Sequence, residues 1–384
     1  MKKSILLILL TLPLIYSIIK LHTDLKFYLP VIIILFGIIL KYLLSSLKSI
    51  RLWIQFGICY IFLDLTFHNI DFGKFIKSFG YVDLKFFVII IFLIYFAIFL
   101  RGYKWKYLLR HIKKISLINL FKATLVGFMG NAIFPARLGE LLRAFVLGKY
   151  EKISRITAFS SIILERIFDG LIIAGLFLYI LIFNPIKNPY FVKAGITASG
   201  IYIILVLAIV IFYFNYEMFY KLFTSIKFLD QSYREKILKF LNAFYVGLHI
   251  FKNLKDLLLF IILTISIWII YIIETYLFLK SMNLIATFFQ ATNYSAIFLS
   301  ILFTFIMTIG VAIPSGPGAA GPFQASIVFT FILLLPQIMK NPDNYNYIAS
   351  FSMFVWCIQI VPVSIGGLYV VIKDGIKIKK IGKS

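Results

Sequence analysis

Residues 130–147 read GNAIFPARLGELLRAFVL and place Arg137, Glu140 and Arg143 between long apolar runs. Pro135 interrupts any helix beside these charges, because a proline removes a backbone hydrogen bond and clashes with the preceding turn. A lone charge at the centre of a bilayer costs roughly 2.5–3.5 kcal/mol, so such charges pair with one another or face a polar cavity. This stretch is therefore the first candidate for a functional site.

The composition is that of an integral membrane protein. The chain has 384 residues, of which 62% are hydrophobic and 14% charged. Runs of about 20 apolar residues recur along it, whereas the alternating segments of about ten residues typical of a β-barrel do not. The sequence predicts an all-α, polytopic helical membrane protein. The net charge of +24 is concentrated in short connections, and the aromatic residues among these charges, as in 103–107, indicate an interfacial belt rather than a nucleic-acid surface.

Apolar runs and basic connections together predict the topology. We place spans near residues 4–20, 28–47, 51–67, 84–101, 156–183, 193–215, 256–280 and 348–372, and interrupted hairpins at 115–148 and 291–336. Basic residues number 26 on one side and 9 on the other, which predicts that both termini are cytoplasmic. The lysine- and isoleucine-rich composition is typical of an AT-rich prokaryotic genome, so we expect the cytoplasmic membrane of a prokaryote. An amphipathic helix near 233–255 either lies along the cytoplasmic interface or packs on the spans.

The second hairpin contains residues 310–323, GVAIPSGPGAAGPF. The spacing of the glycines matches a dinucleotide-binding motif, but the context does not, because no strand precedes them and no βαβ unit surrounds them. The prolines and glycines cannot sustain a helix, and Pro322 suits the first position of a new one. A half-helix N-terminus at membrane depth exposes amides that favour an anion. We therefore predict that Gly318 and Gly321 contact an anionic headgroup.

The two interrupted stretches resemble each other. Each carries the pattern glycine, one residue, alanine, isoleucine, then a proline followed four residues later by a glycine, with one insertion in the first stretch. The first hairpin starts and ends in basic connections, and the second in charge-poor ones. The sequence therefore predicts two re-entrant-like hairpins of opposite orientation in an inverted repeat, with a substrate site where the halves meet.

Further charges follow in the segment ILERIFDG. Glu165 and Asp169 are four residues apart and share a helix face. With Arg166 and the three charges of the first stretch they give three cations and three carboxylates, which predicts a neutral cluster. The arginines would bind a phosphate headgroup and the carboxylates would exchange with it; the alternatives are a network that only joins two helices, or ion or proton coupling. Glu274 has no basic neighbour on its own helix and is a candidate for coupling.

Arg101, beside Trp105, is interpreted as a cytoplasmic anchor.

These motifs resemble the flippase-like family typified by the transmembrane region of lysylphosphatidylglycerol synthase. The resemblance is carried by GNAIFPARLGELLRAF at 130–145, LERIFDG at 164–170, IPSGPGAAGPF at 313–323 and RGYKWKYLL at 101–109. It covers about residues 51–375 and implies a membrane domain that handles anionic or aminoacylated lipids or polyprenyl-phosphate-linked intermediates. Residues 1–50 would add two spans, and 376–384 a basic cytoplasmic tail. No synthase domain follows the last span, so aminoacyl transfer to a lipid is not expected.

The leading hypothesis is a lipid translocase for anionic phospholipid or polyprenyl-phosphate-linked headgroups. The alternatives are a membrane-embedded enzyme that uses a lipid-phosphate donor and a secondary transporter for a small anion. We expect membrane lipids as partners, no nucleic acid, and neither a cofactor nor a metal. A homo-oligomer and a partner lipid-modifying enzyme both remain open.

Overall fold

The computed structural model describes residues 50–68, 70–134, 137–183, 189–225, 230–287 and 294–376. Helices account for nearly all of these residues, and no strand occurs among them. The helices are α1 (Ile50–Phe67), α2 (Phe72–Ser78), α3 (Lys85–Leu109), α4 (Leu117–Ile133), α5 (Gly139–Glu151), α6 (Arg155–Phe183), α7 (Pro189–Phe214), α8 (Tyr216–Ser225), α9 (Gln231–Gly247), α10 (Leu254–Ser281), α11 (Ala296–Ala312), α12 (Pro322–Leu334), α13 (Pro336–Met339) and α14 (Pro342–Lys373). Single 3₁₀ turns cover Phe79–Tyr81, Leu248–Lys252 and Pro317–Ala319.

Within the described ranges, six helical segments are long and apolar enough to cross a membrane. They are α3, α6, α10 and α14, together with the segments Gly195–Phe214 and Pro317–Leu334. Large apolar side chains remain exposed on their outer surfaces, for example Val88 at 76% and Ile204 at 66%. Such a surface suits lipid rather than water. The predicted all-α, polytopic membrane fold is confirmed.

Helix α3 is longer than the sequence predicted. Its apolar run was expected to leave the membrane at Arg101, but the helix continues to Leu109. Trp105 is fully buried in this last part, and Arg101 is 3% exposed. The prediction that Arg101 is a cytoplasmic anchor was therefore wrong, because its side chain is buried inside the protein. The interfacial aromatic belt stays a prediction. The helical spacing of the apolar residues continues through Leu108 and turns this face of α3 into the core.

The first predicted interruption separates α4 from α5. Helix α4 ends at Ile133, and Phe134 adopts extended backbone dihedrals (φ −98°, ψ 143°). The two helices then pack with their backbones in contact: a Cβ added to Gly139 would lie 1.9 Å from the carbonyl oxygen of Gly127. The amide of Gly139 donates to Oδ1 of Asn131 at 2.9 Å. Only glycine permits an approach this close, which explains why the motif carries it.

The second predicted interruption separates α11 from α12. Helix α11 ends at Ala312 and Ile313 is extended, and α12 begins with Pro322 at its first position, as predicted. A Cβ on Gly310 would lie 2.7 Å from the side chain of Ser326, so the two helices pack closely. The inverted-repeat relation of the two hairpins and their re-entrant character stay predictions.

The segment after α7 contains two helices. The amphipathic helix predicted near 233–255 corresponds to α9 and the 3₁₀ turn Leu248–Lys252, while α8 was not predicted. At the end of α9 a Cβ on Gly247 would lie 2.6 Å from the side chain of Leu164 on α6. The helix therefore packs on the spans, and its position along the membrane interface stays a prediction. The predicted spans 4–20 and 28–47, and residues 377–384 of the predicted tail, lie outside the described residues.

The end of α14 is tied to the first hairpin. Lys122 on α4 donates to Oδ2 of Asp374 at 2.9 Å, and the hydroxyl of Tyr150 on α5 donates to the same oxygen. These donors stabilise the carboxylate and hold the pKa of Asp374 below its ordinary value. Helices α4, α5 and α14 are therefore joined at this end of the bundle.

Candidate functional site

Two carboxylates of α6 form the centre of a buried ion-pair cluster. Glu165 and Asp169 lie on one helix face, as their spacing predicted, and their exposed fractions are 0% and 4%. Nη1 of Arg101, on α3, lies 2.5 Å from Oε1 of Glu165 and 3.0 Å from Oδ2 of Asp169. A buried charge is tolerated only when it is paired and hydrogen-bonded. Arg101 therefore belongs to the site rather than to a membrane interface.

Lys104 is a second cation of α3 in the cluster, at a position that was not predicted from the sequence. It is 0% exposed, and its Nζ lies 3.1 Å from Oδ1 of Asp169 and 3.9 Å from Oε1 of Glu165. Arg101 and Lys104 are three residues apart, so both project from one face of α3. That spacing, inside an apolar pattern that continues to Leu108, was the signal available in the sequence.

Arg143 reaches the same cluster from α5. Its Nη1 lies 2.9 Å from Oε2 of Glu165, and its guanidinium carbon lies 4.0 Å from the centre of the Trp105 ring. The Trp105 indole donates to Oγ of Ser161 at 2.8 Å, which fixes the ring. At 2% exposure, Arg143 is held by one ion pair and one cation–π contact.

Arg166 and Glu140 lie nearer the surface. Nε of Arg166 is 3.1 Å from Oε1 of Glu140, with side chains 34% and 23% exposed. Arg166 also approaches Asp169 at 3.5 Å and Glu165 at 3.8 Å. Arg166 therefore lies between the buried carboxylates of Glu165 and Asp169 and the partly exposed carboxylate of Glu140.

Arg137 is the outermost charge of the group. It is exposed, and it makes no hydrogen bond or ion pair with any residue that the structure describes. Its φ of 54° is in the left-handed region, which costs a non-glycine residue of order 1 kcal/mol and is concentrated at functional sites. Arg137 is thus a cation in an unfavourable backbone conformation, with no hydrogen-bond or ion-pair partner among the described residues.

Part of this group of charges borders a cavity of about 670 Å³ between the helices. Most of its wall is apolar and comes from α3, α6, α7, α10 and α11. Its charged lining residues are Arg101, Arg137, Glu140, Arg166, Asp169 and Glu274. The exposed Arg137 and the partly exposed pair of Arg166 and Glu140 stand at its mouth, and the buried Arg101 and Asp169 stand deeper. A cavity of this volume with apolar walls and convergent charges is the ordinary form of a ligand site.

The described charges are not neutral. Arg101, Lys104, Arg137, Arg143 and Arg166 give five cations, against the carboxylates of Glu140, Glu165 and Asp169. These eight groups therefore carry two excess positive charges, and the prediction of a neutral cluster was wrong. It failed because the two cations of α3 were counted as part of a connection. A fourth carboxylate, Glu274, lies in the wall of the same cavity and pairs with none of these cations.

The two glycines predicted to contact a headgroup do not line this cavity. Neither Gly318 nor Gly321 is among the lining residues. The carbonyl of Gly318 accepts from the Trp356 indole at 2.8 Å, and the amide of Gly321 donates to Oε1 of Gln324 at 2.8 Å. The structure thus places these two predicted contacts apart from the arginines, and the Gly321 amide already has a partner.

Glu274 lies in the wall formed by α10. It is 4% exposed, and it lines the cavity together with Trp268, Tyr271 and Thr275. The Tyr271 hydroxyl accepts from Nε of Arg101 at 2.9 Å, which links this wall to the ion-pair cluster. The structure thereby brings Glu274 to the same cavity as Arg137 and Arg166, a relation its isolated position in the sequence did not reveal.

Fold and site together define a class of protein: a polytopic α-helical membrane protein in which a buried ion-pair cluster borders a cavity between the helices. Residues 38–338 match the family described as the lysylphosphatidylglycerol synthase transmembrane region. The chain belongs to that family.

Two curated proteins are similar to the chain. A UPF0104 membrane protein of Methanocaldococcus jannaschii is 28% identical over 235 residues, which are 56% of this chain and 66% of the relative. The glycosyltransferase AglD of Haloferax volcanii is 36% identical over 80 residues, which are 20% of this chain and 12% of the relative. The chain thus covers slightly under two thirds of the first relative and a small part of the second. No solved structure matches the chain.

Proposed function

We propose that this protein is a translocase for lipids with an anionic headgroup, either phospholipids or polyprenyl-phosphate-linked lipids. The observation that carries the proposal is Arg137, which has no ion-pair partner among the described residues and lies at the mouth of a largely apolar cavity. The ion-pair cluster beside it holds more cations than carboxylates. A negatively charged phosphate would be attracted to the cations, and the apolar wall would contact the first part of a lipid tail.

The headgroup would bind at the arginines of the mouth. Arg137 offers its full set of donors at once, and guanidinium groups bind phosphate bidentately. Arg166 forms a partly exposed ion pair with Glu140. We expect it to give up this ion pair and contact the phosphate instead. The more deeply buried Arg101 and Arg143 hold their carboxylates and supply long-range attraction. The excess of cations lets an anion bind without breaking the buried ion pairs.

Alternating access is the second part of the proposal. The two interrupted hairpins, α4–α5 and α11–α12, would move against each other as halves of an inverted repeat while the tail remains in lipid. The similarity of their sequences and their opposite predicted orientations support this scheme. We further propose the cytoplasmic membrane of a prokaryote as its location, with both termini cytoplasmic. Without the two buried cations of α3, 24 basic residues still face 9.

Transport of labelled lipid tests the proposal. The purified full chain is reconstituted in liposomes that contain traces of fluorescent phosphatidylglycerol, polyprenyl phosphate or phosphatidylcholine, and an impermeant quencher reports the leaflet. We expect movement of the two anionic lipids. Arg137→Gln is expected to slow it about tenfold or more, as one charge-assisted contact is worth roughly 1.5–3 kcal/mol.

Lys106→Gln is the matched control, because Lys106 is an exposed cation of α3 that does not line the cavity. A pure, folded preparation that moves none of these lipids would refute the translocase. Uptake of inorganic phosphate without lipid movement would favour a transporter for a small anion.

The 80-residue similarity to a protein named as a glycosyltransferase supports a second candidate, an enzyme that uses a lipid-phosphate donor. Glu165 and Asp169 are each held by buried cations, which leaves Glu140 as the carboxylate best placed for acid–base chemistry. Loss of product formation in Glu140→Gln, with lipid binding intact, would favour this enzyme.

A further inference from the structure

Glu274 differs from the other carboxylates of the cavity. Oε1 of Glu274 receives no hydrogen bond from any group in the described part of the chain. Glu165 and Asp169 are equally buried, but each contacts at least two cations. An isolated ionised carboxylate away from water is costly enough that such a group takes up a proton instead. This environment therefore favours the neutral form of Glu274.

The groups around Glu274 come from several helices. Helix α3 contributes Arg101, whose Nε and Nη1 are already engaged by Tyr271, Glu165 and Asp169. Helix α6 contributes Arg166 and Asp169, and the segment at the start of α5 contributes Arg137 and Glu140. The walls from α11 and α14 contribute only neutral polar groups, namely Thr304, Thr308 and Gln359. None of these cations forms an ion pair with Glu274 in the described part of the chain.

We propose that Glu274 is a proton-binding site that couples proton uptake to binding of the anionic headgroup. This proposal rests on the proposed translocase. A negative headgroup in the same poorly hydrated cavity repels a Glu274 carboxylate and favours its protonated form. By thermodynamic reciprocity, the proton on Glu274 favours headgroup binding by the same factor. The protein would thereby carry a proton together with the lipid, with the proton on a carboxylate oxygen of Glu274 and no covalent change in the lipid.

The sign of the pH dependence follows from this coupling. Headgroup binding is strong while Glu274 is protonated and weakens as rising pH removes that proton. Coupling free energies of this type amount to a change in affinity on the order of 5–150-fold. Because buried glutamates lose their proton as high as about pH 8–9, the informative interval runs from about pH 6 to about pH 9.5.

Short-chain phosphatidylglycerol is the probe for the test, because its phosphodiester does not titrate in this interval. Its affinity for the full chain in detergent is measured by calorimetry, and proton uptake is obtained from the dependence of the heat on the buffer. We expect wild-type affinity to fall at least fivefold from pH 6 to pH 9.5. Glu274→Gln, an isosteric and permanently neutral variant, should bind at high pH as the wild type does at low pH. Glu274→Asp should keep the dependence.

Glu217→Gln serves as the control, because Glu217 is an exposed glutamate of α8 outside the cavity. Affinity that is independent of pH in the wild type, or a pH dependence that survives in Glu274→Gln, would overturn the coupling and leave the translocase intact. An absence of binding at every pH would contradict the translocase itself and the coupling with it. Inorganic phosphate in place of the lipid, compared at one fixed pH, separates recognition of a free anion from recognition of a lipid headgroup.

Discussion

Replacing Glu165 by glutamine tests how the buried cluster stabilises the fold. The carboxylate of Glu165 is 0% exposed and lies 2.5 Å from Arg101 and 2.9 Å from Arg143. Glutamine keeps the shape but removes the charge, which leaves Asp169 as the counter-ion for the buried cations. Removing one partner of a buried ion pair costs about 3–5 kcal/mol. At a few degrees per kcal/mol, the melting temperature should fall by roughly 10 °C.

Glu140→Gln provides the matched comparison in the thermal-unfolding assay. It makes the same chemical change, but the Glu140–Arg166 pair is 23% and 34% exposed. An ion pair with this much solvent contributes at most about 1 kcal/mol, so the shift should be a quarter of that in Glu165→Gln or less. Both variants are purified as the full chain in one detergent and heated while tryptophan fluorescence is recorded.

Equal melting temperatures for the two glutamine variants would refute this reasoning. A double variant adds a second criterion. Arg143→Leu in the Glu165→Gln background removes the cation that Glu165 shielded, so the double variant should be more stable than the sum of the single effects predicts. Strict additivity would show that Arg143 and Glu165 do not interact as the structure implies.

Two further predictions concern packing and pH. Gly139→Ala places a methyl group 1.9 Å from a backbone carbonyl of α4, so we expect loss of folded protein by size-exclusion chromatography. Gly175→Ala, with no atom within 4 Å, should fold normally, and equal yields would contradict the close α4–α5 packing. The carboxylate of Asp374 has a pKa below its ordinary value because Tyr150 and Lys122 donate to it. It therefore contributes stability above the pKa of an unfolded aspartate, about 3.9, and this is lost as pH falls through the lower folded value. Asp374→Asn should melt earlier at neutral pH, with a smaller loss on acidification; an unchanged acid profile would contradict this.

The helices and their interruptions could be predicted because each has a local cause. Apolar runs of span length fix α6, α10 and α14, and the glycine and proline positions fix the breaks near Phe134 and Ile313. Pairing of the α6 carboxylates with arginines could also be predicted, since unpaired charges at that depth are too costly.

The position of Arg101 could not be predicted from the same rules. A basic and aromatic stretch at the end of an apolar run has the same composition in two cases. Its side chains can be exposed where the helix leaves the membrane, or they can be buried in the protein core. Only tertiary packing of α3 against α6 and α10 decides between these. For Gly321, in contrast, a local signal existed: Gln324 stands three residues later, where its side chain folds back on the helix start and takes the amide.

Two ion pairs of very different strength connect α5 to α6. Glu140 and Arg143 are about 4.5 Å apart along α5; one makes a solvent-exposed contact with Arg166 and the other a buried contact with Glu165. Thermal fluctuation is sufficient to separate the outer pair but not the inner one. A movement of α5 relative to α6 would therefore separate the outer pair before the inner one. The buried pair therefore limits how far α5 and α6 can separate at the cluster, whereas the outer contact is free to open and close.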